Sequence, residues 1–200
     1  MKPLTLTVVS AGLGLPSSTG RLAKLLATAT EKHLAGASPL DVVSVELRDL
    51  AVAVAARLVS GSLTDELRAA VEAVVKADGL IAVTPVFTAS YSGVFKSFFD
   101  LLGEAALDGV PVLIAASGGT ARHTLALEHA MRPMFTHLGA HAVRTTVYAA
   151  PGDWGSDRLE ARIDRAAREL AAALPGGVSR VNGDRSCRAA GTAVPPSGGL

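Results

Sequence analysis

Two loops of the chain carry side chains that suit the binding of a flat, anionic ligand. The first loop runs from Ser10 to Arg21 and combines hydroxyl groups with glycines. The second loop spans residues 84–93, directly after a short apolar run, and offers hydroxyl groups together with backbone N–H groups. Each loop joins a predicted strand to a predicted helix, so rigid elements hold it at both ends.

The first loop has the features of a phosphate site. It leads into a predicted helix, and the N-terminus of a helix favours a phosphate because its first N–H groups are unpaired and its dipole is positive there. The candidate ligands are the hydroxyl groups of Ser10, Ser17, Ser18 and Thr19. Alternatively, Ser17 or Ser18 only caps the helix. The glycine spacing matches neither a P-loop nor a dinucleotide-binding fingerprint.

Five strand–helix units position these loops. We predict strands at residues 4–10, 42–47, 80–83, 111–116 and 142–148. We predict helices at residues 19–34, 65–77, 94–102, 121–138 and 157–174, with an Ala/Val-rich connection before the second helix. This alternation predicts an α/β fold with a doubly wound, five-stranded parallel sheet and helices on both faces. In strand order 2-1-3-4-5, both loops lie at the switch point, where such sheets bind ligands.

Composition and charge narrow the class of protein. The 200 residues are 49% hydrophobic and 18% charged, which favours a globular α/β enzyme. A formal net charge of +1 argues against nucleic acid and acidic membranes as partners. The single cysteine, Cys187, predicts a cytoplasmic location. We expect one domain over residues 1–174, followed by a disordered Gly/Pro/Arg-rich tail over residues 175–200.

Three segments in collinear order resemble the NAD(P)H-dependent FMN reductases of flavodoxin-like fold. They are the first loop, residues 84–100 with the pattern Thr-Pro-Val-aromatic-x-Ala-Ser-Tyr-Ser-Gly, and residues 111–120 with Ala-Met-Arg-Pro at 130–133. The likeness covers residues 4–155 and is strongest to the reductases that supply reduced flavin to two-component flavin monooxygenases. The resemblance therefore implies FMN and NADPH, or NADH, as the cofactors.

The resemblance also implies a role for each matching position. The FMN phosphate would be held by Ser10, Ser17, Ser18 and Thr19. The isoalloxazine ring or the ribityl chain would contact Pro85, Val86, Phe87, Ser90, Tyr91, Ser92 and Gly93. The edge of the ring would be approached by Ser117, Gly118, Gly119 and Thr120. Hydride transfer from a nicotinamide to flavin N5 requires stacking and exclusion of water, so we name no catalytic side chain.

Two histidines of the predicted fourth helix are further candidates. His123 would touch the phosphate or ribose of the nicotinamide nucleotide, or else it faces solvent. In sulfonate-related members of the family, a Tyr or His of the matching helix is associated with a π-bulge at the tetramer interface, near the flavin. The resemblance implies the same of His129, and the alternative is an ordinary surface histidine.

Partners and competing functions complete these expectations. The resemblance implies a homodimer or homotetramer and a flavin-dependent monooxygenase as partner. A quinone or azo reductase with bound FMN stays open, as does a non-catalytic flavin or electron-carrier module. Carriers of this fold tend towards an acidic surface, whereas the 19 Lys and Arg residues here balance 18 Asp and Glu residues, which favours the enzyme.

Overall fold

The computed structural model describes residues 3–35 and 39–174. Its strands are β1 (Leu4–Ser10), β2 (Leu40–Glu46), β3 (Gly79–Phe87), β4 (Ser90–Tyr91), β5 (Pro111–Ser117), β6 (His141–Ala142) and β7 (Val147–Ala149). Its α-helices are α1 (Ser18–Leu34), α2 (Leu47–Ser60), α3 (Asp65–Val75), α4 (Gly93–Phe99), α5 (Arg132–His137) and α6 (Asp157–Ala173). Two 3₁₀ helices span Ala121–His123 and Pro151–Asp153, and a π-helix spans Leu127–Met131.

The parallel sheet has the predicted doubly wound topology. Its strands follow the order β2-β1-β3-β5-β6, and β7 also pairs with β5, so β6 and β7 together take the place of the fifth strand. The predicted order 2-1-3-4-5 is therefore confirmed. Strand β4 was not predicted; it is a two-residue strand that pairs antiparallel with the end of β3.

The two faces of the sheet contribute to two separate cores. Residues of β1, β3 and β5 alternate between them, which is the period-two geometry of a strand. One core joins the sheet to α1 and α6 and includes Leu6, Val8, Ile81, Val83, Leu113 and Ala115. The other core joins it to the opposite helices and includes Val9, Leu80, Ala82, Val112 and Ile114. Because both faces are covered, most of β3 and β5 is a continuous apolar run.

The fifth strand is broken, whereas a continuous strand was predicted. Side chains bind the backbone between β6 and β7 in place of the sheet. The carboxylate of Glu169 accepts hydrogen bonds from the N–H and the hydroxyl of Thr145, both at 2.7 Å. The Arg132 guanidinium donates to the carbonyl oxygens of Ala142 and Val143 at 3.4 and 3.2 Å. These bonds satisfy the backbone groups that leave the ladder.

Residues 47–60 form helix α2, so the predicted Ala/Val-rich connection was wrong. Leu47 and Val54 are buried on one face of the helix, and Leu50 packs against the same core. Gly61 ends the helix in a left-handed conformation with φ 74°, and its N–H donates to the Arg57 carbonyl oxygen. Spacing of i, i+3 and i+7 places the three apolar side chains on one face, which is sufficient to hold the helix.

The described part of the chain includes no helix with the length and apolar content that a membrane span requires. The predicted tail over residues 175–200, with Cys187, lies outside the described residues.

Candidate functional site

A cleft of about 470 Å³ opens at the carboxyl ends of β1, β3 and β5. Three segments that are distant in sequence meet there: the first loop, the end of β3, and the loop after β5. The predicted residues that line it are Ser17, Ser18, Thr19, Pro85, Val86, Phe87, Ser117, Gly118 and Gly119. We call this the switch-point cleft.

The side chain of Ser17 caps helix α1. Its Oγ accepts a hydrogen bond from the Gly20 N–H at 3.0 Å, so the capping role that the sequence left open is present. A capping hydroxyl still has its own hydrogen to donate, because the cap uses only an acceptor lone pair. A Cβ at Gly12 would overlap Ser17 Oγ, so a glycine is needed where the loop passes the cap. Ser17 is therefore able to cap the helix and bind an anion together.

Ser10 lies under the first turn of α1 with its hydroxyl unpaired. The residue is 1% exposed, and its Oγ is the one buried side-chain oxygen in the described residues that has no hydrogen-bond partner. A Cβ placed at Gly20 would lie 3.8 Å from this oxygen, which locates the hydroxyl beside the helix N-terminus. An unpaired buried hydroxyl costs about 1–3 kcal/mol. Such a cost is explained if a ligand supplies the missing partner.

A buried hydrogen bond ties two predicted site residues together. Thr19 Oγ1 and Ser117 Oγ lie 2.8 Å apart, and either hydroxyl is able to donate. Both side chains line the switch-point cleft although their residues are only 3% and 5% exposed. The bond fixes the N-terminus of α1 against the end of β5, so the cleft is preformed on this side.

A β-hairpin forms the opposite wall. Val86 pairs with Tyr91 and Phe87 with Ser90, so Thr88 and Ala89 make a two-residue turn. Both turn residues have positive φ, 49° and 64°. This is the geometry of a type I′ turn, whose twist matches the twist of the two strands. Phe87 stays in the switch-point cleft and is half exposed, whereas Tyr91 lines a second cleft.

Ser92 and Gly93 begin helix α4 instead of lining the cleft. Ser92 Oγ accepts from the Phe95 N–H at 3.3 Å, and the Ser92 N–H donates to Thr84 Oγ1 at 3.0 Å. Ser92 is buried, so its hydroxyl serves as an N-cap. These contacts fix where the hairpin returns to the helix, and they hold the cleft wall from behind.

The loop after β5 depends on a tyrosine that was not predicted. Tyr148 Oη donates to the Thr120 carbonyl oxygen at 2.8 Å. Burial raises the pKa of Tyr148, and the nearby Asp153 carboxylate adds to this rise, so the phenol keeps its proton for that bond. A Cβ at Gly118 would overlap this hydroxyl, while a Cβ at Gly119 would meet open space. Gly118 thus allows the loop to pass close to the phenol.

Thr120 and His123 lie just beyond the cleft. Thr120 Oγ1 accepts from the Arg122 N–H at 3.3 Å and caps the 3₁₀ helix that contains His123. Neither residue lines the switch-point cleft. The predicted contact of Thr120 with the flavin and that of His123 with the nicotinamide nucleotide therefore stay predictions.

His129 lies in the π-helix, where a continuous α-helix was predicted. The Arg132 N–H donates to the Leu127 carbonyl oxygen, five residues back, which is the bond that defines this helix. The Arg132 guanidinium also binds the Glu128 carboxylate at 2.6 and 3.2 Å, across the wide turn. The π-bulge that the resemblance implied is therefore present.

A second cleft, of about 600 Å³, brings His129 next to Tyr91. It lies between α4 and α5, and Lys96, Asp100 and His137 also line it. The π-helix packs against β4, so His129 is connected to the switch-point cleft through the hairpin. Its role at a subunit interface stays a prediction.

Sequence reasoning missed part of the switch-point cleft. The first loop also contributes Gly12, Leu13, Gly14 and Pro16, and the other lining residues are Ala149, Pro151 and Trp154. From the sequence, Trp154 was either a cover for the flavin or local packing, and Ala149 and Pro151 were not candidates. Ala149 ends β7, and Pro151 and Trp154 come after it, at the carboxyl end of the fifth strand, where ligand-binding residues of an open α/β sheet are expected. That rule, applied to all five strands, would have found them.

The lining of the switch-point cleft is uncharged. Among the described residues, it contains no Lys, Arg, His, Asp, Glu or Cys, but has hydroxyls and glycine backbone next to apolar side chains. No group of three or more potential metal ligands occurs in the described residues. A hydroxyl-lined, partly apolar cleft at the switch point of a 2-1-3-4-5 sheet is the arrangement of a flavodoxin-like, flavin-nucleotide-binding protein.

Comparison with known proteins gives the family. Residues 4–155 match the family model described as NADPH-dependent FMN reductase, and the chain belongs to this family. It is 38% identical over 184 residues to an FMN reductase (NADPH) of Pseudomonas aeruginosa, covering 90% of this chain and 96% of that one. It is 38% identical over 180 residues to an NADH-dependent FMN reductase, SfnF, of Pseudomonas fluorescens, covering 88% and 94%. An oxidoreductase structure from Corynebacterium diphtheriae is 40% identical, with a TM-score of 0.83 over 87% and 98% of the two chains.

Proposed function

We propose that the switch-point cleft binds FMN, with its phosphate at the N-terminus of α1 and its ring between the hairpin and the Ser117–Gly119 loop. The chain is an FMN reductase that uses NAD(P)H. The proposal concerns which residues carry that activity. The unpaired Ser10 hydroxyl beneath the first turn of α1 is the observation that supports it most directly.

The phosphate end is assigned to three hydroxyls and the backbone of α1. Ser10 donates its free hydrogen, and Ser17 donates while it caps the helix. Ser18 also lines the switch-point cleft and is the first residue of α1, so its N–H is among the unpaired groups of the first turn. Thr19 holds the helix in place through its bond to Ser117 and contributes less to the phosphate itself.

The ring end is assigned to apolar side chains and to backbone that lies close to them. Pro85, Val86 and Phe87 provide an apolar wall, and Gly119 provides a backbone N–H group at the opposite edge. The Gly118 N–H already donates to the Ala149 carbonyl oxygen at 3.1 Å, which fixes this loop. Bound FMN supplies the chemistry, because its N5 accepts a hydride from a nicotinamide. The protein positions the two rings and excludes water, which needs no ionisable side chain.

The partner and the assembly are proposals of the same kind. Relatives named as NADH-dependent FMN reductases support the production of reduced flavin, and we propose a flavin-dependent monooxygenase as the protein that uses it, as the resemblance in sequence implies. We also propose a homodimer or homotetramer with the second cleft, containing Tyr91 and His129, near the contact between subunits. The cytoplasmic location expected from the cysteine content stays a prediction.

The assignment is tested by titrating the purified protein with FMN and with riboflavin. We expect Ser17→Ala/Ser18→Ala to weaken FMN binding more than riboflavin binding, because only FMN carries the phosphate. Ser44→Ala is a matched control, since Ser44 is exposed on β2, away from the cleft. Equal losses for the two flavins would contradict the assignment of the phosphate.

Steady-state oxidation of NADPH and NADH separates the alternative functions. FMN, FAD, riboflavin and a quinone are supplied in turn as the electron acceptor. Turnover with free flavin supports the flavin reductase. Turnover only with the quinone favours a quinone reductase with bound FMN, and flavin binding without nicotinamide oxidation favours a carrier module.

A further inference from the structure

We propose that Arg21, held against the ring of Trp154, supplies the positive charge by which this cleft prefers FMN to riboflavin. The inference rests on the proposed function and identifies a specificity-determining residue within it. The charge of the FMN phosphate is not matched by the lining of the switch-point cleft. A phosphate monoester carries about −1.5 to −2 charges at pH 7, yet the lining of the switch-point cleft has no charged side chain.

The N-terminus of α1 alone does not compensate this charge. A helix dipole is equivalent to roughly +0.5 charge at the N-terminus. Ser10, Ser17 and Ser18 add neutral hydroxyls, which form weaker bonds to a phosphate than a cation does. A cation near the first turn of α1 would therefore improve binding of FMN while leaving binding of riboflavin unchanged.

Arg21 is the cation in that first turn. It follows the N-cap Ser17 by one helical turn, and its own N–H donates to the Ser17 carbonyl oxygen at 2.9 Å. The side chain is at the surface, and none of the ion pairs among the described residues involves it. The charge of Arg21 is thus not neutralised by a carboxylate in the described part of the chain.

Trp154 fixes where that charge lies. The Arg21 guanidinium carbon is 4.7 Å from the centroid of the Trp154 ring, which is the geometry of a cation–π contact. Trp154 itself lines the switch-point cleft, opposite the first loop. A cation–π contact uses none of the guanidinium N–H groups as hydrogen-bond donors, so they are able to bind phosphate oxygens.

The loop around Trp154 is well fixed, so the ring is a stable platform. Asp153 Oδ2 accepts from the Ala150 N–H at 2.8 Å and closes the 3₁₀ turn that precedes the ring. Gly155, with φ 81°, turns the chain directly after it, and Ser156 caps α6. The indole also packs against the core between α1 and α6. Trp154 is therefore a positioning residue. Of the two, Arg21 is the residue that contacts the phosphate, beside the hydroxyls of the first loop.

The experiment compares dissociation constants for FMN and riboflavin in matched variants. We expect Arg21→Gln to weaken FMN binding about tenfold, equivalent to about 1.4 kcal/mol, with riboflavin binding unchanged within about twofold. Lys24→Gln is the control, because it removes the same charge from the exposed side of α1, away from the cleft lining. It should leave the ratio of the two constants unchanged.

The platform is tested by Trp154→Phe, which keeps an aromatic ring but weakens the cation–π contact. We expect Trp154→Phe to weaken FMN binding about threefold when Arg21 is present. In the Arg21→Gln background the same change should have no effect, because Trp154 acts through Arg21. Arg21→Lys should recover part of the loss, since it restores the charge without the planar group. Trp154 is the single tryptophan of the chain, so quenching of its fluorescence by FMN reports occupancy of the cleft directly.

Two results would overturn the inference and leave the proposed function intact. One is an unchanged ratio of FMN to riboflavin affinity in Arg21→Gln when the unaltered protein binds FMN. The other is an equal loss in Lys24→Gln, which would show a general effect of charge. Failure of the unaltered protein to bind any flavin would instead refute the proposed function, and the inference with it.

Discussion

Replacing Ser10 by alanine should stabilise the free protein and weaken its binding of FMN. The Ser10 hydroxyl is buried to 1% exposure and has no partner in the described residues. Removing it recovers the desolvation cost of an unpaired hydroxyl, which we estimate at about 1 kcal/mol from the range of about 1–3 kcal/mol. In the complex the same hydroxyl donates to a charged phosphate, and such a bond contributes about 1.5–3 kcal/mol. We therefore expect FMN affinity to fall at least about tenfold.

The assay combines two measurements on the same protein. Urea denaturation of the flavin-free protein gives the free energy of unfolding, and a flavin titration gives the dissociation constant for FMN. Thr7→Val is the control, since Thr7 is also buried on β1 but its hydroxyl is bonded to the Ala73 carbonyl oxygen at 2.7 Å. That variant should lose about 1 kcal/mol of stability and keep its FMN affinity.

Ser10→Ala must raise the free energy of unfolding and lower the affinity for FMN. If Ser10→Ala unfolded more easily than the unaltered protein and bound FMN equally well, the hydroxyl would have a structural partner, and the phosphate site would lie elsewhere.

Three further predictions follow from contacts around the clefts. Gly118→Ala should weaken FMN binding, because its Cβ overlaps the Tyr148 hydroxyl, whereas Gly152→Ala, whose Cβ would meet open space outside the cleft lining, should bind normally in the same titration; equal effects would contradict the close approach of Gly118 to Tyr148. Ala89→Gly should raise the free energy of unfolding in urea by about 0.5–1 kcal/mol, since Ala89 has φ 64°; a loss would show that the turn is unstrained. The Arg132 guanidinium lowers the pKa of Glu128 below its ordinary 4.5, so this pair stabilises the protein above pH 4.5 and the effect is lost as pH falls through the lowered value. Glu128→Gln should therefore cost about 0.5 kcal/mol at neutral pH and progressively less as pH falls below 4.5, because the carboxylate is protonated in the folded protein only below its lowered pKa; a cost that did not change with pH would exclude the charge as the cause.

The sheet was predictable from sequence because its signals are local. Strand β3 is apolar from Gly79 to Val83 and β5 from Pro111 to Ala116, which is typical of strands covered on both faces, and hydroxyl-bearing residues follow directly. Strand order then placed both loops at one edge. The contacts within that edge, such as the bond between Thr19 and Ser117, join residues far apart in sequence and leave no local pattern.

The errors have equally physical causes. Helix α2 is held by Leu47, Leu50 and Val54, but the apolar residues on its exposed side, such as Val52, hide that spacing. The break in the fifth strand depends on the Glu169 carboxylate, which comes from another element. The predicted contact of Ser92 with the flavin stays a prediction; what the sequence did not reveal is that the Ser92 hydroxyl also caps α4, by accepting from the Phe95 N–H.

The pair formed by Thr19 and Ser117 gives the cleft an adjustable polarity. Either oxygen is able to provide the shared hydrogen, so rotation about two C–O bonds exchanges a donor for an acceptor without moving a heavy atom. A redox ligand gains a hydrogen on its ring edge when it is reduced, and its requirement changes from receiving a hydrogen to giving one. With the flavin ring edge at Ser117, as proposed, this pair of hydroxyls would serve the oxidised and the reduced ring without moving a heavy atom.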